Sequence, residues 1–119
     1  MKKTLILGAS TNPERYAFIA AHRLSSHGHP IELVGLKEGI VAGKQIHTDK
    51  PIIENIDTVT LYVGSRNQPE WYDYVLSLHP KRVIFNPGTE NDEFAGLLAQ
   101  NGIEAQEACT LVLLSMNAY

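Results

Sequence analysis

Short apolar runs alternate with longer segments of helical period along this chain, and this alternation limits the fold more than any other feature. Nearly continuous apolar runs are typical of parallel strands that helices cover on both faces. The sequence therefore predicts a three-layer α/β domain built on a parallel sheet of about five strands. The predicted strands are residues 4–7, 31–34, 58–63, 82–85 and 104–106, the last with the weakest pattern.

The segments between these runs carry apolar residues at helical spacing. Helices are predicted over 16–27, 70–78 and 91–100, each with one apolar face. Segment 110–117 reads TLVLLSMN and is apolar almost all round. Such a helix is typically buried, which makes a homodimer with a covering second subunit our expectation.

Residues 35–55 lack clear periodicity, and a short additional edge strand is predicted around 44–46. Strand adjacency and right-handed connections favour the order 2-1-3-4-5 for the five main strands, a doubly wound Rossmann-like sheet. At 119 residues the chain is predicted to be a single domain, 1–119. A ligand of such a sheet is expected where the strand order reverses, between the turns after Leu7 and Val63.

Composition excludes several classes of function. A net charge of −3 without a basic run argues against nucleic-acid binding. The first apolar run stops at Gly8, too early for a secretory signal, and no run approaches the roughly 20 residues of a membrane span. One cysteine, Cys109, and five scattered histidines offer neither a disulfide nor a zinc site. We expect a cytoplasmic protein without a bound metal or membrane contact.

The segment from Leu5 to Arg15 reads as a strand, a glycine turn and a helix start. In a doubly wound fold this turn is the position that binds phosphate, because amides and the helix dipole face it. Asn12 is predicted as the helix cap and Pro13 as the first helical residue. A cation such as Arg15 near a helix amino terminus costs about 0.3–1 kcal/mol, and a bound anion would remove the conflict. The alternative is an ordinary turn with a solvated arginine.

The dinucleotide fingerprint G-x-G-x-x-G is absent, since Ser10 and Pro13 stand where glycines are needed. The second predicted strand is followed by Lys37 instead of the acid that binds the ribose of NAD. A lysine at this point favours a 3′- or 2′-phosphorylated adenosine, although Glu38 is adjacent. The alternative is a solvated loop lysine.

Four segments, taken in order, resemble the small CoA-binding proteins and the CoA-binding Rossmann-like domain of succinyl-CoA synthetase α subunits. They are Gly8-Ala9-Ser10, Gly43-Lys44, the run from Phe85 to Asn91, and Gly102-Ile103 leading to Cys109. The likeness covers nearly the whole chain. Two segments depart from the usual pattern: residues 34–36 read Val-Gly-Leu rather than Val-Asn-Pro, and residues 86–89 read Asn-Pro-Gly-Thr rather than Gln-Pro-Gly-Ala.

The resemblance implies coenzyme A or an acyl-CoA as the cofactor. Its pyrophosphate and adenosine would lie over the first turn, beside the loop after the second strand, and against the end of the next main strand. The implied binding residues are Gly8, Ala9, Ser10, Thr11, Asn12, Arg15, Lys37, Tyr62, Val63 and Gly64.

No catalytic constellation is visible. Cys109 has no evident His or Asp neighbour, and we interpret it as a packed residue. Turn and cap chemistry is favoured for Asn86, Glu90 and Asn91, and core or dimer packing for Trp71, Tyr72 and Tyr74. The sequence therefore favours a module that binds CoA without turnover. Two alternatives stay open: an NAD(P)-dependent oxidoreductase or small transferase subunit acting with a partner, and a homodimeric interaction protein with a vestigial nucleotide pocket.

Overall fold

The computed structural model describes residues 1–119 as seven strands in one sheet with four α-helices. The sheet order is β3-β4-β2-β1-β5-β6-β7. The strands are β1 Thr4–Leu7, β2 Ile31–Val34, β3 Ile40–Val41, β4 Lys44–His47, β5 Thr58–Leu61, β6 Arg82–Phe85 and β7 Glu104–Glu107. The helices are α1 Tyr16–Ser26, α2 Tyr72–Ser77, α3 Asp92–Gln100 and α4 Thr110–Ser115.

The predicted order of the five main strands is confirmed. The first strand, β1, pairs in parallel with β2 on one side and with β5 on the other, so the order reverses at β1. The additional strand predicted around 44–46 is confirmed as β4, but it lies between β2 and β3, so β3 and not β4 forms the edge of the sheet. The sequence missed β3, which pairs antiparallel with β4 through a two-residue turn, so the sheet has seven strands rather than about five. Both turn residues, Ala42 and Gly43, have positive φ (51° and 77°), as a tight hairpin requires.

The helices follow the predicted segments, with one difference before α2. The predicted helix 70–78 is divided into a 3₁₀ turn, Pro69–Trp71, and the α-helix Tyr72–Ser77. Another 3₁₀ turn, Ser65–Asn67, precedes them. None of the helices combines the length and the apolar character that crossing a bilayer needs.

Alternating side chains of the strands form two cores, one on each face of the sheet. In β1, Leu5 and Leu7 join the core under α2 and α3, whereas Ile6 joins the core under α1 and α4. Phe85 and Phe94 meet edge to face in the first core, with ring centroids 5.7 Å apart. The three-layer Rossmann-like architecture is therefore confirmed.

Helix α4 is buried on one face only. Thr110 and Leu114 are buried against the rest of the domain, whereas Val112 is 50% exposed and Met116, just beyond the helix, is 68% exposed. The apolar pattern therefore overestimated how much of this helix its own chain covers. The homodimer expected from that pattern stays a prediction.

Candidate functional site at the carboxyl edge of the sheet

The turn after β1 is held tightly between its two neighbouring strands. The amides of Gly8 and Ala9 both donate to the carbonyl of Val34 at the end of β2, at 2.9 and 3.0 Å. Gly8 has a φ of +96°, and a Cβ at this position would lie 2.8 Å from the carbonyl oxygen of Tyr62 after β5. Only glycine fits this backbone without strain.

The start of α1 at Tyr16, predicted from the helical period, is confirmed, but the cap predicted at Asn12 and the first helical residue predicted at Pro13 were wrong. Asn12 does not cap the helix: its Oδ1 accepts from the amide of Glu14 at 3.0 Å, and its own amide donates to Ser10 Oγ at 3.1 Å. An Asn side chain that bonds the backbone two residues on forms an Asx turn, and this turn competes with the helix here. The helix therefore begins at Tyr16, with Arg15 in extended conformation at the N-cap position.

Several amides of this segment have no protein acceptor. Those of Gly8, Ala9 and Asn12 are occupied, which corrects the expectation that the whole run from Gly8 to Asn12 is available to a ligand. The amides of Ser10 and Thr11 stay free, as do those of Tyr16 and Ala17 in the first turn of α1. Free amides beside the positive end of a helix dipole attract anions.

The loop after β2 packs directly against this turn. Gly35 is buried, its amide donates to His47 at 2.9 Å, and a Cβ here would overlap the carbonyl oxygen of Ala9. Farther along the loop, a Cβ on Gly39 would overlap the methyl group of Thr11. Lys37 lies between these two contacts and is exposed. The backbone packing therefore places the loop that carries Lys37 beside the first turn.

The cations near this edge have no carboxylate partner. The only ion pairs in the structure join Glu32 to Lys44 at 3.5 Å and to His47 at 3.8 Å. Arg15 and Lys37 are both exposed and unpaired. The same is true of Arg66, in the loop after β5, which the sequence reasoning did not single out although it follows two residues after Gly64. Glu14 and Glu38 are next to Arg15 and Lys37 in sequence but form no ion pair with them, so these cations stay available to an anion.

The segment after β5 contributes mainly backbone to this edge. The amide of Tyr62 donates to Leu7 at 2.8 Å, which continues the ladder between β5 and β1. Its hydroxyl oxygen is buried without a hydrogen bond of good geometry, and this burial raises the pKa of Tyr62 to about 12. Thr60 and Thr110 lie near that hydroxyl and bond each other at 2.8 Å. The Tyr62 hydroxyl is therefore buried in the interior, although the side chain as a whole is only partly buried.

Asn86, Glu90 and Asn91, which we considered as a polar site, form structural hydrogen bonds instead. Asn86 is buried, donates to Thr60 Oγ1 at 2.7 Å and to the Leu61 carbonyl at 2.9 Å, and accepts from the Thr110 amide at 2.9 Å. The carboxylate of Glu90 accepts from Gly88 N at 2.9 Å in the turn after β6. These contacts confirm turn chemistry for Glu90 and show that Asn86 joins β5, β6 and α4.

Asn91 caps α3 by accepting from the Phe94 amide at 3.0 Å, so the predicted cap chemistry is confirmed. The aromatic cluster packs as predicted: Trp71 and Tyr74 are buried in the core, and Tyr72 stacks on Phe94 with centroids 4.4 Å apart. The buried rings of Trp71 and Tyr74 are therefore not free to stack on an adenine.

Cys109 is half-buried at the N-cap position of α4. No group of three or more His, Cys, Asp or Glu side chains is placed to hold a metal ion. One buried polar residue went unnoticed in the sequence. Gln68, between the two 3₁₀ turns after β5, is fully buried and joins the loops after β5 and β6. Its partners are distant in sequence, and only the preceding Gly64-Ser65 hinted at a turn there.

Comparisons with solved structures support the fold described above. An uncharacterized protein of known crystal structure is 57% identical, and the alignment covers 100% of this chain and 98% of that one with a TM-score of 0.98. A hypothetical protein from Pyrococcus horikoshii OT3 is 27% identical over 97% of this chain and 82% of that one, with a TM-score of 0.86. A Thermus thermophilus structure, 21% identical with a TM-score of 0.89 over 99% and 90% of the two chains, shows the fold alone.

Curated proteins gave no match to the sequence. The family model described as a CoA binding domain, in contrast, matches residues 2–115, which include every strand and helix described above. The chain therefore belongs to the CoA binding domain family.

Proposed function

We propose that this protein binds coenzyme A or an acyl-CoA at the carboxyl edge of the sheet and does not turn it over. One observation carries the proposal: the free amides of Ser10 and Thr11 lie on a turn that packs against the loop bearing Lys37. Arg15 is unpaired at the N-cap position of α1, which follows this turn. A diphosphate and a further phosphate need such a combination of amides and cations. Membership in the family supports the same ligand.

We infer an orientation for the coenzyme from the order of the strands. The pyrophosphate would bind the Ser10 and Thr11 amides with Arg15, and the 3′-phosphate of the adenosine would bind Lys37. The remainder of the coenzyme would then pass toward Gly64, because β5 lies on the opposite side of β1 from β2.

The proposal that the ligand is bound without turnover rests on the side chains of this edge. A general base, a nucleophile or a metal would be needed for turnover. The polar groups of Asn86, Glu90 and Asn91 are instead engaged in structural hydrogen bonds.

We also propose a cytoplasmic location, because the half-buried free thiol of Cys109 agrees with a reducing compartment.

Replacing Arg15 by alanine is expected to weaken CoA binding about tenfold, or about 1.4 kcal/mol, because one charge-assisted contact to the pyrophosphate is lost. Isothermal titration calorimetry with CoA, acetyl-CoA, NAD and NADP measures the effect. Arg23→Ala is the matched control, since Arg23 is exposed in the last turn of α1. Wild-type protein that does not bind CoA at millimolar concentration would rule out the proposed function.

Lys37→Ala is expected to weaken CoA binding roughly fivefold and to leave dephospho-CoA binding unchanged, because only the 3′-phosphate contacts this lysine. The measurement is the ratio of the two dissociation constants in wild type and variant. Lys81→Ala, an exposed lysine just before β6, is the control. Equal losses for both ligands would contradict the assignment of Lys37 to the 3′-phosphate.

The interaction-protein alternative has an observation in its favour. The apolar side chains of Val112 and Met116 are half or more exposed on one side of α4. Sedimentation equilibrium distinguishes a homodimer through this face from a monomer, and a Val112→Lys variant that dissociates would place the interface there. The NAD(P) alternative requires a preference for NADP over CoA in the titration together with hydride transfer.

A further inference from the structure

The peptide unit between Val63 and Gly64 has one end bound inside the protein and the other end unbound. The carbonyl of Val63 accepts from Gln68 Nε2 at 2.9 Å. The amide of Gly64 has no acceptor in the protein. Carbonyl and N–H point in opposite directions across a planar trans peptide. Because the carbonyl is turned inward to Gln68, the N–H of Gly64 is turned away from the interior.

Gln68 is placed to hold this orientation. It is 0% exposed, and its second Nε2 hydrogen goes to the carbonyl of Thr89 at 2.7 Å in the loop after β6. Its Oε1 accepts from Asn91 Nδ2 at 3.0 Å. Three hydrogen bonds in different directions leave the side-chain amide no alternative rotamer of equal energy. The segment after β5 is therefore fixed to the loop after β6.

Gly64 itself is not required by the fold. Its φ of −61° and ψ of 153° suit any residue, and a Cβ would meet nothing within 4 Å. The residue is exposed at the carboxyl edge, next to the strand where the order of the sheet reverses. A methyl group at this position would therefore point into open space and leave the backbone and its N–H unchanged.

We infer that the Gly64 amide donates a hydrogen bond to an oxygen of the coenzyme beyond its adenosine bisphosphate, and that Gln68 is the residue that aims it. This inference rests on the proposed function. A donor fixed before binding adds affinity because its ordering cost is already met in the free protein. Gln68 is thus a positioning residue, and Gly64 the contact.

Gly64→Pro is the direct test, because a φ of −61° is the value that proline imposes while its ring removes the N–H. Gly64→Ala keeps the N–H and is the matched control. Titration with CoA and with adenosine 3′,5′-bisphosphate is expected to show roughly tenfold weaker CoA binding for the proline variant, less than twofold for alanine, and unchanged binding of the bisphosphate. Equal losses for both ligands, or no loss for CoA, would overturn the inference.

Gln68→Met tests the positioning role, since methionine has a similar shape and neither donor. CoA binding should weaken severalfold, and hydrogen exchange at residues 64–68 should accelerate. Added to Gly64→Pro, the same substitution should cost no further affinity, a result that general loosening would not produce. Gln100→Met, on the exposed surface of α3, is the control.

The outcomes separate the two levels of the proposal. If wild-type protein does not bind CoA, the proposed function fails, and hydrogen exchange in Gln68→Met still tests whether Gln68 orders the peptide. Unchanged hydrogen exchange at residues 64–68 in Gln68→Met would also overturn the positioning role of Gln68. If Gln68→Met does not fold, the comparison of Gly64→Pro with Gly64→Ala decides whether the amide is a contact.

Discussion

Gly8→Ala is expected to destabilise the protein by about 2–6 kcal/mol, from about 1–3 for the disfavoured backbone and about 1–3 for overpacking. The φ of Gly8 is +96°, and the new methyl group would lie 2.8 Å from the Tyr62 carbonyl oxygen and 3.1 Å from a methyl of Val63. This steric overlap can be relieved only if β1 and β5 separate where the amide of Tyr62 donates to the carbonyl of Leu7. Urea unfolding measures the loss, and CoA binding of the folded fraction is expected to weaken with it.

Gly96→Ala is the matched control for Gly8→Ala. Gly96 lies in α3, has an ordinary φ, and a Cβ there would meet nothing within 4 Å. Alanine in a helix interior is favoured over glycine by about 0.5–1 kcal/mol, so this variant should be more stable than wild type. A Gly8→Ala protein as stable as wild type would show that the two strands tolerate a wider separation than the structure indicates.

Asn86→Ala is expected to cost about 2–5 kcal/mol, because two buried backbone groups lose their partners and a small cavity remains. The groups are the Leu61 carbonyl and the Thr110 amide, which Asn86 now bonds at 2.9 Å each. The Thr110 amide is the first of α4, so the helix should also become more mobile. Chemical denaturation gives the free energy, and hydrogen exchange at 110–115 reports the helix.

The control for Asn86→Ala is Asn67→Ala, since Asn67 is exposed and its side chain makes no hydrogen bond. The free energy of unfolding of that variant should stay within about 0.5 kcal/mol of the wild-type value. Asn86→Asp keeps the acceptor for Thr110 and loses both donors. We therefore expect it to lower the free energy of unfolding, while hydrogen exchange in α4 stays closer to wild type than in Asn86→Ala. Equal stability of Asn86→Ala and wild type would mean that water replaces the side chain.

The positions of strands and helices could be predicted because the signals are local. β1, β2 and β6 have the predicted bounds, since their apolar runs end at turn residues in the sequence itself. Strand β3 was missed because it is two residues long and depends on pairing with β4. The cap at Asn12 was wrongly predicted because an Asn side chain can either cap a helix or form an Asx turn, and the hydrophobic period does not distinguish the two.

The candidate site was predictable in outline only. The turn after β1 and the lysine after β2 follow from motif and spacing, and the backbone contacts of Gly35 and Gly39 bring the two segments together. The sequence did not show which amides are free, because the amides of Gly8 and Ala9 donate to the carbonyl of Val34 on the neighbouring strand.

By itself, the sequence determined the alternation of strands and helices, the order of the main strands and the glycine turn, because hydrophobic period and turn residues act within a few positions of the chain. Only the tertiary structure decided what Gln68 and Asn86 do. Their partners lie 21 to 26 residues away in sequence, apart from the bond of Gln68 to Val63. The role of a buried side-chain amide depends on the carbonyls and amides that folding brings within about 3 Å, and a local sequence pattern does not predict these partners.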